Sequence, residues 1–147
     1  MAASASLRRR VAVRARNRCE YCGLSQLGQA ATFHLDHVLP VAAGGETVLD
    51  NLALACIHCS LRKGARTMVL DPKSGQSVPL FHPRQQQWNH HFRWSGNELV
   101  GITAIGRATI EALALNSSEH QIIRSFESVL GMHPPPRHVW TKVEAVC

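Results

Sequence analysis

Residues 33–45, "FHLDHVLPVAAGG", place two histidines and an aspartate within four positions of an otherwise apolar run, which then reaches Pro40 and the pair Gly44 and Gly45. Burying His34, Asp36 and His37 costs free energy unless something pairs with them or ligates them, so the stretch marks a site as well as a core segment. Its β-branched and aromatic residues alternate with polar ones, which predicts a strand over 31–38 that Pro40 ends. "AAGGETVLDN", residues 42–51, reads as the loop that follows.

A pair of cysteines flanks this segment on each side: "CEYC" with Cys19 and Cys22, and "CIHC" with Cys56 and Cys59. Cys147 is left over. No secretory pattern precedes them, so reduced thiols and a cytoplasmic location are expected. Two C-x2-C knuckles in a reducing compartment point to metal, and four thiolates suit tetrahedral Zn²⁺. The 33 residues between the knuckles exceed the spacing of the simplest zinc ribbons, so the opening stretch is an insertion held between them.

The whole chain has 147 residues, 45% hydrophobic, enough for one domain with a real core. No apolar run approaches the roughly 20 residues of a membrane span. The net charge of +6 is unevenly placed. Arg8, Arg9, Arg10, Arg14, Arg16 and Arg18 precede the first acidic residue, leaving ten of the sixteen Lys/Arg to balance ten Asp/Glu. A concentrated basic stripe favours polyanions, because each arginine that neutralises a phosphate releases counterions. The same Arg-, Ala- and Ser-rich composition suits a transit peptide, but Cys19 follows at once and leaves little room for a cleavable leader.

Residues 6–17 read as a helix with Ser6 as N-cap, and "HCSLRKGAR" as a short helix with Ser60 near its start. Residues 71–84 are turn-rich and carry a short strand near Val78 to Phe81. "WNHHFRW" alternates bulky and polar groups, and Trp88, Phe92 and Trp94 are expected to pack the C-terminal part onto the core. "NELVGIT" is a further strand. Thr103 caps a helix that places Ile105, Ala108 and Ala112 on one face. Asn116 and Glu119, in capping-box spacing, open another with Ile122, Phe126 and Val129 or Leu130 on one side. The remainder, 131–147, reads as a loose tail.

The strings "HLDHVLPVAAGG", "LDNLALAC" and "HCSLRKG", framed by the two knuckles, resemble the HNH endonucleases of the ββα-metal (His-Me finger) fold. "PLFHPRQQQWNHHFRW" and "GITAIGRATIEALALN" are similar to the downstream part of a group of small bacterial HNH proteins. The resemblance implies a function, metal-dependent hydrolysis of DNA phosphodiesters, and a role for each matching residue. His37 matches the general base that takes a proton from water, and Asp36 the carboxylate that holds a catalytic Mg²⁺ or Mn²⁺. Asn51 matches the asparagine that braces the loop and the orientation of the base. Cys19, Cys22, Cys56 and Cys59 match the structural zinc ligands. The last ligand of the motif falls on Ser60, whose neutral hydroxyl is a poorer ligand than the family's His or Asn. His34 is read as a hydrogen-bonding neighbour, and His58 has no assigned role.

The expectation is an α+β protein: a basic N-terminal helix or arm (1–18), a zinc-stapled ββα-metal core (19–70), a C-terminal helical extension packed on it (71–130) and the tail. DNA is the expected partner, contacted by Arg8, Arg9, Arg10, Arg14, Lys63 and Arg66, with no membrane association. The alternative is an HNH-fold nucleic-acid-binding module weakened as a catalyst by Ser60.

Overall fold

A computed structural model describes residues 3–140. The expected insertion between the knuckles is a hairpin followed by a helix. Strand β1 (His34–His37) pairs antiparallel with β2 (Leu52–Ala55), with His34 opposite Ala55 and His37 opposite Leu52. Helix α2 (Ile57–Lys63) follows directly. Cys56 caps it, its sulfur accepting the Cys59 amide at 3.4 Å, so the cap is a knuckle cysteine. The first strand is shorter than 31–38 because Gln26 captures the Phe33 amide at 2.6 Å and Ala31 at 2.9 Å in a local turn.

The loop between β1 and β2 is fastened by Asn51. Its side chain accepts the Leu39 amide at 2.8 Å and donates to the carbonyls of Leu39 at 3.0 Å and Glu46 at 2.9 Å. The chain closes so tightly here that a Cβ on Gly45 would sit 1.8 Å from the Leu39 carbonyl oxygen. Only glycine fits.

Helix α1 (Ala5–Arg14) begins earlier than expected: Ser4 accepts the Leu7 amide at 3.1 Å, and positive φ at Arg16 and Asn17 stops the helix before 17. The second half adds the hairpin β3 (Met68–Leu70) and β4 (Ser77–Pro79), one turn of helix α3 (Trp88–His91), and the hairpin β5 (Phe92–Ser95) and β6 (Glu98–Gly101). "WNHHFRW" is therefore part helix and part strand. Trp88 and Phe92 are buried and pack together at 5.0 Å between ring centroids. Helix α4 (Ala104–Leu113) is capped by Thr103, which accepts the Gly106 amide at 3.1 Å.

Helix α5 (Ser118–Val129) departs from its expected pattern. Its cap is Ser117, because Asn116 is used elsewhere, bonding both the amide and the carbonyl of Leu99 at 2.7 Å. Ile122, Phe126 and Val129 face outward, with Phe126 67% exposed, Ile123 is partly buried against the core, and His120, Arg124 and Glu127 are buried.

One continuous core runs from Val11 through Tyr21, Phe33 and Leu52 to Trp88, Phe92 and Leu115. Residues 131–140, read as loose, are docked on it: Arg18 holds the Met132 carbonyl at 2.9 Å and Trp140 stacks on Trp88 at 4.1 Å. Nothing local signals this docking, because its anchors, Arg18 and Trp88, are distant in sequence. Residues 141–147, with Cys147, lie outside the described range. Among the described residues no helix is long and apolar enough to cross a membrane.

Candidate functional site

The four knuckle cysteines converge from two directions, Cys19 and Cys22 after α1, Cys56 and Cys59 at the start of α2. All are buried, none is in a disulfide, and their sulfurs lie within 4.8 Å of one another, Cys22 and Cys56 at 3.7 Å. Four sulfurs at the Zn–S distance of a tetrahedral site would stand about 3.8 Å apart. The donor set therefore fits a structural zinc. Burial opposes ionisation of the Cys19 thiol, but hydrogen bonds from Cys22, Cys56 and Cys59 outweigh it and hold its pKa well below the ordinary value. Among the described residues this is the group of three or more His, Cys, Asp or Glu donors gathered closely enough to hold a metal.

Strand alternation then sorts the polar residues of β1. Asp36 points inward and is 8% exposed. Tyr21, from inside the first knuckle, donates its hydroxyl to Asp36 Oδ2 at 2.7 Å. Lys63 places Nζ 3.3 and 3.2 Å from the two carboxylate oxygens and donates to the His37 carbonyl at 3.0 Å. Burial raises the Asp36 pKa, against the lowering effects of the Lys63 charge and of hydrogen bonds from Tyr21 and Lys63. Burial and the neighbouring Asp36 also hold the Tyr21 phenol well above its ordinary pKa, so it remains a neutral donor.

His37 is half-buried, with Nε2 2.9 Å from Thr47 Oγ1. It lines an open cleft of about 440 Å³ together with Arg8, His34, Asp36 and Ser60. His34 Nδ1 meets Ser60 Oγ at 2.8 Å, so the hydroxyl expected to face a metal is engaged by a histidine.

The expected catalytic divalent ion does not fit this arrangement. Mg²⁺ wants a carboxylate free to offer oxygen, usually with several waters retained. The site's carboxylate is buried and already paired with an ammonium group, and the neighbouring hydroxyl is bonded to His34. Titration of Mg²⁺ into the protein without DNA is accordingly expected to show no site tighter than about millimolar, since the ion must displace Lys63 from Asp36. Binding in the micromolar range by calorimetry would contradict that.

The basic residues divide. Arg8, Arg9 and Arg10 are exposed along α1. Arg14 is turned inward to the carbonyls of Leu49 at 2.9 Å and Leu52 at 2.6 Å, where it ties α1 to the hairpin. Lys63, expected to meet phosphate, is 1% exposed and held by Asp36. Four residues after Cys59, it shares the inward face of α2. Arg66 is exposed but donates to the Ala112 carbonyl at 2.9 Å, pinning the end of α2 to α4. Sequence reasoning missed Tyr21 and Thr47. Tyr21 had a usable signal in its place inside the knuckle, whereas Thr47 carried none.

Residues 19–66, 48 of the 147, match the family model of the HNH endonuclease. No curated protein and no solved structure matches the chain. Residues 19–66 of this α+β chain thus match an HNH domain, a nuclease-type domain, and carry a cysteine cluster able to hold zinc.

Proposed function

We propose, from the premise of an HNH domain at 19–66, that this protein hydrolyses DNA phosphodiester bonds with His37 as general base. The observation that carries the reading is the setting of His37: one ring nitrogen on Thr47, the ring on the wall of a cleft that Arg8 also lines. With the Nε2 proton donated to Thr47 Oγ1, Nδ1 keeps a free lone pair, which a neutral imidazole needs to take a proton from water. The resulting hydroxide attacks phosphorus, the phosphorus–oxygen bond on the far side breaks, and the departing oxygen takes up a proton from solvent. Asn51 keeps the loop that carries Thr47 closed over β1. The zinc cluster, buried away from the cleft lining, holds the scaffold.

A specific observation favours a second reading, a DNA-binding module that cuts poorly or not at all. Lys63 occupies Asp36, and Ser60 is bonded to His34. Incubation with supercoiled plasmid separates the two: nicking above background supports hydrolysis, whereas salt-sensitive binding with intact plasmid supports the module.

Either reading uses the basic arm. Replacing Arg8, Arg9 and Arg10 by glutamine is expected to weaken DNA binding alike on all sequences, because phosphate contacts position without reading bases. The slope of log affinity against log salt should become shallower by up to about 2.7, roughly 0.9 per lost phosphate contact. An unchanged slope, measured by fluorescence anisotropy, would remove the arm from the interface.

A further inference from the structure

Helix α5 is built inside out. Ile122, Phe126 and Val129 are 56%, 67% and 83% exposed, whereas His120, Arg124 and Glu127 are 1%, 0% and 2% exposed. The buried three recur at i, i+4 and i+7 and so form one stripe. Enclosing a guanidinium costs several kcal/mol unless charge and hydrogen bonds offset it.

The hydrogen bonds are partly there. Arg124 Nη1 donates to the Asn97 carbonyl at 2.9 Å and to Asn116 Oδ1 at 3.2 Å, Nη2 donates to the Leu115 carbonyl at 2.6 Å, and the group lies over the Trp94 ring at 4.9 Å. Its Nε is buried without a partner, and among the described residues no carboxylate forms a salt bridge with it. His120 repeats the pattern: Nδ1 meets Ser117 Oγ at 3.0 Å, and Nε2 is buried without a partner.

The stripe meets residues beside both knuckles. His120 packs edge-on against His58, which sits between Cys56 and Cys59, with ring centroids 4.4 Å apart. At the other end, Glu127 accepts the Ser25 amide at 2.9 Å, just past the first knuckle. Burial lowers the Arg124 pKa, and Cys22 and Cys59 are the foremost groups opposing it, followed by Glu127 and Cys19. Burial, with Arg124 and His58, pushes His120 down to about 3 against the pull of Cys19. A neutral His120 whose Nδ1 accepts from Ser117 carries its hydrogen on the unpartnered Nε2.

We propose that this buried stripe is the electrostatic partner of the zinc site, Arg124 supplying a counter-charge to the tetrathiolate and the unpartnered N–H of His120 adding to the positive potential beside it. Zn²⁺ with four thiolates is formally a dianion, and in a dry interior such a charge favours a nearby cation and N–H donors. The C-terminal helix is thereby coupled to metal binding in the N-terminal half. The inference rests on zinc occupying the cysteines and is independent of hydrolysis.

The test is zinc affinity by chelator competition, together with the thiolate-to-metal charge-transfer band of the Co²⁺-substituted protein. Arg124→Met keeps apolar bulk and removes the charge. It is expected to weaken zinc binding roughly 10–100-fold and to move the band to longer wavelength, with Arg124→Lys recovering much of both. His120→Phe keeps a ring, removes the N–H and should shift the band in the same direction. It also serves as the test if Arg124→Met does not fold. Unchanged affinity and an unchanged band, even with a lowered melting temperature, would reduce the stripe to packing and overturn the proposal. Wild-type protein that folds without binding zinc would overturn the zinc reading, and the proposal with it.

Discussion

Stripping zinc from the purified protein with a strong chelator is expected to abolish its cooperative thermal transition, not merely lower the midpoint. The secondary structure around the cluster is too slight to persist alone: β1 and β2 have four residues each, and an isolated two-stranded sheet is marginal in water. The four sulfurs join the segment after α1 to the start of α2, which are otherwise tied to the hairpin by a few hydrogen bonds such as those of Arg14 to Leu49 and Leu52 and of Tyr21 to Asp36. Structural zinc supplies about 10–16 kcal/mol of apparent binding free energy near neutral pH, against the roughly 5–15 kcal/mol that stabilises a domain. Cys56→Ser should behave almost as badly. It removes one thiolate and weakens the acceptor for the Cys59 amide that opens α2. Elemental analysis should find about one zinc per wild-type chain, and calorimetry should find no sharp transition in the variant. Folded wild-type protein without zinc, or a Cys56→Ser variant that melts like wild type, would contradict this.

The second large effect is expected at His37. If its ring takes the proton from water, His37→Ala should slow cleavage by roughly 10²- to 10⁴-fold, the usual contribution of a positioned general base. The fold should survive, because the side chain is only half-buried and its hydrogen bond runs to Thr47 in the loop, not into the core. Zinc content and melting temperature of the variant are therefore expected to match wild type. Loss of cleavage accompanied by loss of zinc would instead make His37 a structural residue.

What the sequence discloses about this fold depends on how local the cause is. The C-x2-C pairs are readable because the four thiols are set by short spacing on either side of one insertion. Thr103 is readable as a cap because its partner, Gly106, lies three residues on. Asp36 and His37 are adjacent on a short strand and both reach the cleft wall, though Asp36 bonds Tyr21 and Lys63 and His37 bonds Thr47; that Lys63 fills the space beside Asp36 was not legible. A lysine in a basic stretch reads as exposed, and only its register with Cys59 turns it inward. Helix α5 shows the stronger failure. Ile122, Phe126 and Val129 form a regular apolar stripe, yet that stripe faces solvent while Arg124 is fully buried. Hydrophobic periodicity assumes an apolar neighbour, whereas Arg124 is taken up by the carbonyls of Asn97 and Leu115, the Asn116 side chain and the Trp94 ring. Trp140 was illegible for another reason: its stacking partner, Trp88, is brought to it only by the finished fold.

Whether the HNH domain acts through His37 is tested most sharply by single-turnover nicking of supercoiled plasmid. Wild type would be set against His37→Ala, with and without added imidazole, at matched zinc content. General-base catalysis by His37 gives a measurable wild-type rate, a loss of at least about 100-fold in the variant, and partial recovery when imidazole restores a base in the emptied space. Plasmid left intact by the wild type, or cut equally fast by His37→Ala, would contradict it.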